Sequence, residues 1–130
     1  MLVYRCADLM FSTRVRAAAD DAGLVARPVR SVEMLRKRLE RVQDGKANDA
    51  VTSMIVEVDG EAVVDELIAA ARAHDPTLRI VAFGPHVAVE ALQAAGQAGA
   101  DPVLTRGSFH NGLPGLMERL RGLAETAKRG

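Results

Sequence analysis

The feature that most constrains this chain is the regular alternation of short, β-leaning apolar runs with amphipathic stretches along its whole length. The runs lie at 2–7, 24–29, 51–58, 78–83 and 102–105. The run at 51–58 is almost continuously apolar, which is typical of a strand buried on both faces of a parallel sheet. Five βα units in succession predict a three-layer α/β/α fold with a five-stranded parallel sheet, and the expected strand order is the flavodoxin-like 2-1-3-4-5.

Capping residues and apolar spacing predict where the helices lie. Asp8 and Gly23 are suited to begin and end a helix over 9–22, and Ser31 is suited to cap a second one. The second helix is predicted from apolar residues recurring at 32, 35, 39 and 42, and the other three are predicted near 63–71, 88–97 and 113–127. With 48% hydrophobic residues in 130, and neither linker nor repeat, the chain is predicted to be one domain over 1–130.

Composition limits the classes of function. The net charge is zero, with basic residues concentrated in 27–46 and acidic ones in 47–75, which argues against nucleic acid as the main ligand. The basic residues of the second helix, Arg36 among them, are expected to form a solvated face. The single cysteine, Cys6, is expected to be a buried small hydrophobe. No leader or membrane-spanning run is apparent, so the expected location is cytoplasmic.

The segment "AAGQAGADPVLTRGSF", residues 94–109, resembles the fourth helix and fifth strand of response-regulator receiver domains. The layout of the whole chain resembles that family too. Through "DLMFSTRV", "VAFGPHV" and "AGADPVLTRGSF", the chain is also similar to small stand-alone receiver-like proteins of unassigned function. The resemblance implies a phosphorylation site at the carboxyl ends of the strands, with an acceptor Asp, bound Mg²⁺, a Lys and a hydroxyl residue.

The positions that match this site depart from the family pattern. The end of strand one offers only Asp8 where an acidic pair is usual, and apolar spacing favours Glu57 at the acceptor position, with Asp59 as the alternative. Gly84 falls on the hydroxyl position and Arg106 replaces the Lys. A missing carboxylate weakens Mg²⁺ binding. Glu extends the carboxylate by one methylene compared with Asp, which misaligns an in-line transfer. The planar guanidinium of Arg need not reach the oxygen that the compact ammonium of Lys reaches.

The resulting prediction is a degenerate receiver, not an enzyme and without a cofactor. Its output is expected to be binding to a protein partner or a second copy through the fourth helix, fifth strand and fifth helix, with no membrane involved. Two alternatives stay open. One is a true phosphoacceptor using Asp59 or Glu57 with Mg²⁺, and the other is a small-ligand or anion sensor built on Ser12, His86 and Arg106.

Two finer points also remain open at this stage. Glu57 either pairs bidentately with Arg106, which would tie strand three to strand five, or simply points to water. Asp8 is expected to be a helix N-cap and not a metal ligand. A metal held by His86, His110 and Asp8 has no supporting spacing, so no metal site is predicted.

Overall fold

The computed structural model describes residues 1–40, 42–43, 46–47 and 49–129, in which strands and helices alternate as the sequence predicts. The main elements are β1 (Leu2–Arg5), α1 (Leu9–Ala22), β2 (Ala26–Pro28), α2 (Val32–Leu39), β3 (Ser53–Glu57), α3 (Ala62–His74), β4 (Arg79–Gly84), α4 (Val89–Ala98), β5 (Val103–Thr105) and α5 (Arg106–Arg129). A small antiparallel pair, Val42–Gln43 with Lys46–Ala47, lies between α2 and β3.

The sheet has five parallel strands in the order β2-β1-β3-β4-β5, which confirms the predicted 2-1-3-4-5 arrangement. Alternate residues of each strand point to opposite faces, so the sheet builds two cores. One core joins Ile55 and Phe83 to α1 and α5, and the other joins Met54 and Ala82 to α2, α3 and α4. In this register Glu57 lies beside Phe83, and Gly84 beside Thr105, so the carboxyl ends of three strands meet.

The predicted caps of α1 and α2 are confirmed. Asp8 Oδ1 accepts from the Met10 amide at 2.7 Å, and Ser31 Oγ accepts from the Met34 amide at 3.1 Å. α2 ends at Leu39, so extending its apolar stripe to Val42 was wrong. Val42 instead pairs with Ala47 in the small antiparallel pair, and this pairing replaces the helical hydrogen bonds. Residues 41, 44, 45 and 48, which include part of the expected basic face and turn, lie outside the described residues.

The last helix starts at Arg106, seven residues before the predicted start at 113. Its first turn forms because Thr105 Oγ1 accepts from the Ser108 amide at 3.2 Å, while Phe109 and Leu113, four residues apart, both enter the core. The glycines and Pro114 had favoured a later start, and this tertiary burial outweighs their local preference. Within the described ranges, no helix has both the length and the apolar character needed to cross a membrane.

Candidate functional site at the carboxyl edge of the sheet

Glu57, the last residue of β3, is the central side chain of this edge. It is only 1% exposed, so the expectation that it points to water was wrong. Its Oε1 accepts from the Asp8 amide at 2.8 Å, and its Oε2 lies 3.4 Å from Arg106 Nη2. The pair with Arg106 therefore forms through one nitrogen and is not bidentate, because the other carboxylate oxygen is taken by the start of α1. Glu57 thus joins β3 to both α1 and α5.

Asp59, the alternative acceptor, faces a different partner. Its Oδ2 lies 2.8 Å from Arg5 Nη1, and its Oδ1 accepts from the Glu61 amide at 3.0 Å. Arg5 also donates to the backbone oxygen of Glu57 at 3.2 Å. The two carboxylates at the end of β3 are thus held by two different arginines, and each has both oxygens engaged.

Gly84, at the hydroxyl position, has no room for a side chain. A Cβ there would lie 2.9 Å from the backbone oxygen of Val58 and 3.3 Å from Leu92 Cδ2. This close approach is fixed by the sheet, because the Val58 amide donates to the Phe83 oxygen at 2.7 Å. A serine or threonine hydroxyl would require the β3 and β4 ends to separate.

An aromatic cluster lies directly under Arg106. The rings of Phe83 and Phe109 stack at 3.9 Å, and Phe11 packs against Phe83 at 5.0 Å. The guanidinium carbons of Arg106 and Arg14 lie 5.8 and 5.9 Å from the centre of the Phe11 ring, within range of cation–π attraction. Arg106 therefore contacts a buried carboxylate and the edge of the aromatic core together, although 45% of its side chain is exposed.

Ser12, His86 and Arg106, the expected ligand edge, make no hydrogen bond or ion pair with one another within the described ranges, and their role as a ligand edge stays a prediction. Ser12 is half-buried within α1, while His86 is exposed in the connection from β4 to α4. His110 lies with its Nδ1 3.0 Å from Arg14 Nη1. Over the described ranges, no group of three or more His, Cys, Asp or Glu side chains is placed to hold a metal ion.

Cys6 lies in the connection that follows β1, close enough to Glu57 for the two to interact electrostatically. Burial first, and then the negative charge of Glu57, raise the pKa of the Cys6 thiol to about 12. The reactive form of a cysteine is the thiolate, so a pKa this high leaves the side chain protonated near neutral pH. Cys6 was expected to be a buried small hydrophobe; it packs against the core on the α1 and α5 side but is only half-buried.

Comparisons of sequence find neither a matching family model nor a matching curated protein. Comparisons of structure do find similar folds. A CheY-like protein (tadZ) from Pseudomonas aeruginosa matches with a TM-score of 0.70 and 23% identity, over 92% of this chain and 97% of that one. A putative response regulator from Chloroflexus aurantiacus matches with a TM-score of 0.70 and 18% identity, over 93% and 96% of the two chains.

This chain has the receiver fold. A response regulator from Thermotoga maritima, with a TM-score of 0.65 and 17% identity over 95% of this chain and 96% of its own, agrees with that assignment. At these identities the likeness shows the fold alone. In the receiver fold, the positions that match the phosphorylation site lie at the ends of β1, β3, β4 and β5. In this chain they are occupied by Asp8, Glu57, Gly84 and Arg106.

Three residues at this edge of the receiver fold were not predicted from the sequence: Arg5, Phe11 and Arg14. Arg5 could have been found, because it is the one charged residue in an apolar run that the predicted order places beside β3. Phe11 and Arg14 lie three residues apart on α1, so they share one helical face, but nothing in the sequence indicates that Arg106 would meet that face.

Proposed function

We propose that this receiver-like protein is a non-catalytic signalling module that acts by binding and not by accepting a phosphoryl group. The observation that carries the proposal is the state of Glu57. Its carboxylate is buried, with one oxygen on the Asp8 amide and the other facing Arg106. A negative group that the chain itself supplies holds β3, α1 and α5 together without any modification.

Phosphoryl transfer needs an accessible acceptor oxygen, a metal ion and groups that neutralise the transferred phosphoryl oxygens. A phosphoryl group on Glu57 would have to displace the Asp8 amide or Arg106. One on Asp59 would have to displace Arg5 or the Glu61 amide. These contacts support the view that neither carboxylate serves as an acceptor and that no Mg²⁺ cofactor is required.

The proposed binding surface consists of α4, β5 and α5. β5 is an edge strand of three residues, and its side chains are partly or fully exposed. Two large apolar side chains of the flanking helices are also exposed, Val89 on α4 and Leu123 on α5. Partly exposed apolar surface beside an unpaired edge supports contact with another protein or a second copy. We place this activity in the cytoplasm, with no membrane or nucleic acid involved.

The decisive experiment is incubation with Mg²⁺ and acetyl phosphate, followed by intact-mass measurement. We expect no mass increase, whereas a receiver with the full acidic site, treated in parallel, gains one phosphoryl group. An adduct that disappears in Glu57→Gln or in Asp59→Asn would identify the acceptor and overturn the proposal. The two variants are measured separately because each carboxylate has its own arginine.

A further inference from the structure

A groove of about 330 Å³ runs beside α5, at the end of the sheet opposite to Glu57. Its floor is apolar and its rim is basic. The lining residues are Pro102, Leu116, Leu120 and Leu123, with Arg79 and Arg119 on the rim. Leu116, Leu120 and Leu123 follow the four-and-three spacing of one helical face. The volume lies at the lower end of the range of about 300 to 1,000 Å³ that is usual for binding clefts.

The charged residues that line this groove are both basic. No acidic residue belongs to the described lining, and neither the Arg79 nor the Arg119 side chain makes a hydrogen bond or an ion pair within the part of the chain that the structure describes. The nearby acids of α5 are already engaged, because Glu118 and Glu125 both pair with Arg121, at 2.9 and 2.8 Å. The groove is therefore apolar inside and offers two free cations at its rim.

Backbone geometry selects a helix over a strand as the occupant. An added strand needs a row of free N–H and C=O groups on the sheet edge. β5 offers only three residues for such a row, and Pro102, directly before it, has no N–H and has its oxygen bonded inward to the Ala82 amide at 3.1 Å. An amphipathic helix needs no such backbone partners, because it binds through apolar side chains three and four residues apart.

Resting on the proposed binding function, we infer that this groove binds an acidic amphipathic helix of a partner protein. Leucine-sized side chains of that helix occupy the floor formed by the three leucines of α5, and its carboxylates lie against Arg79 and Arg119. A second copy of this chain does not fit symmetrically, since a two-fold contact through the groove brings these arginines toward their own copies.

A synthetic peptide tests this inference directly. The probe is a fluorescein-labelled, 17-residue helix of Ala, Leu and Glu, with leucines on one face and glutamates flanking them, and binding is followed by fluorescence anisotropy. We expect saturable binding that weakens at least about 5-fold in Leu123→Asp and in Arg119→Glu. Val25→Asp is the matched control, because Val25 is 39% exposed and Leu123 is 40% exposed, but Val25 lies outside the groove.

A charge exchange guards against variants that merely misfold. Arg119→Glu is expected to bind a peptide in which lysines replace the glutamates, and to bind it at least about 5-fold more tightly than the unmodified protein does. Absence of saturable binding to the acidic peptide at millimolar concentration would overturn the inference. The inference would also be overturned if Val25→Asp weakened peptide binding as much as Leu123→Asp does. It would likewise be overturned if light scattering showed a dimer and Leu123→Asp dissociated that dimer. These results leave the phosphorylation experiment unaffected, so the inference and the proposed function can fail separately.

Discussion

At the scale of single residues, the buried Glu57 side chain is the main support for the proposal that this edge does not accept a phosphoryl group. A buried carboxylate is costly unless its oxygens are hydrogen-bonded and its charge is paired. The Asp8 amide donates a hydrogen bond to Glu57, and Arg106 pairs with its charge. Arg106 also contacts the Phe11 ring. The added methylene of Glu, compared with Asp, extends the carboxylate further from the end of β3 toward these partners.

We expect Glu57→Gln and Arg106→Ala each to lower the free energy of unfolding by about 1 to 2 kcal/mol, because each removes one side of a partly exposed ion pair. The double variant should lose less than the sum of the two, by about 0.5 to 1.5 kcal/mol. Urea denaturation measures all three. Glu33→Gln, which breaks the exposed pair with Lys37 at 3.8 Å, should cost no more than about 0.5 kcal/mol. If the double variant lost the full sum of the Glu57→Gln and Arg106→Ala effects, the pairing of Glu57 with Arg106 would be contradicted.

Gly84→Ser should be destabilising and should not restore a working hydroxyl position. Its Cβ would lie 2.9 Å from the Val58 oxygen, so β3 and β4 must move apart, at a cost of about 1 to 3 kcal/mol. Thermal and urea unfolding give the measurement. Gly107→Ser is the control, because a Cβ at that position meets no atom within 4 Å, and its effect should stay within about 0.5 kcal/mol. Equal effects at the two positions would refute the steric explanation.

The Cys6 thiol should resist alkylation in the folded protein. Because burial and Glu57 raise its pKa to about 12, iodoacetamide at pH 8 should modify it far more slowly than it modifies the urea-unfolded chain. The raised pKa also has a consequence for stability. The unfolded thiol ionises near a pH of about 8.5, so the stability of the protein relative to Cys6→Ala should fall as pH rises from there toward 12. Rapid labelling of the folded chain would contradict this.

At the scale of elements, one arginine connects the carboxyl ends of α3 and α4. Arg72 donates through Nε and Nη2 to the Gly99 oxygen, at 3.2 and 2.9 Å, and through Nη1 to the Pro76 oxygen at 2.7 Å. Gly99 has φ of +124°, and a Cβ there would lie 3.0 Å from Arg72 Cγ. This contact fixes the position of α4, and with it one side of the proposed binding surface.

Arg72→Lys should therefore lower the free energy of unfolding by about 1 to 2 kcal/mol, because an ammonium cannot reproduce the forked contacts to the carbonyl groups of Gly99, Pro76 and Asp75. Chemical denaturation provides the value, and amide hydrogen exchange should become faster in α4 than in α1. Arg119→Lys serves as the comparison, since the Arg119 guanidinium makes no hydrogen bond within the described residues, and it should change stability by less than about 0.5 kcal/mol. If Arg72→Lys changed stability no more than Arg119→Lys does, the Arg72 hydrogen bonds would make no contribution to the free energy of unfolding.

At the scale of the whole molecule, the two ends of the sheet have different characters. The carboxyl end is closed by internal ion pairs, Glu57 with Arg106 and Asp59 with Arg5. The opposite end carries the apolar groove with unpaired cations. In the open α/β folds, ligands usually bind at the carboxyl end. We therefore expect this protein to respond to partners through the α5 side, while its carboxyl end remains unchanged.

We expect Mg²⁺ to leave the melting temperature unchanged, relative to a sodium chloride control of equal ionic strength. Stabilisation by a ligand requires preferential binding to the folded state, and Mg²⁺ prefers carboxylate oxygens that are not already held by arginine. Differential scanning fluorimetry measures the shift. The variant combining Ala7→Asp with Glu57→Asp, which adds one carboxylate and shortens another, should gain a saturable increase. A saturable increase in the unmodified protein would contradict the prediction.

Much of the fold could be predicted because it depends on local patterns. The apolar run at 51–58, the Asp8 and Ser31 caps and the βα alternation each indicate their own element, and right-handed crossovers leave few arrangements of the sheet. The failures have a common cause. α2 stops before Val42 because Val42 pairs with Ala47, and α5 begins at Arg106 because Phe109 and Leu113 enter the core; helical spacing and propensity by themselves indicate neither contact.

The sequence by itself determined the strand order, the helix caps and the identity of the side chains at each strand end. Only the tertiary structure decided what those side chains do. In the folded chain Glu57 is buried, Arg5 pairs with Asp59, and Val58 lies where it excludes any side chain at Gly84. The physical reason is that backbone patterns act over a few residues, whereas burial and charge pairing depend on atoms about fifty positions apart that meet only when the sheet forms.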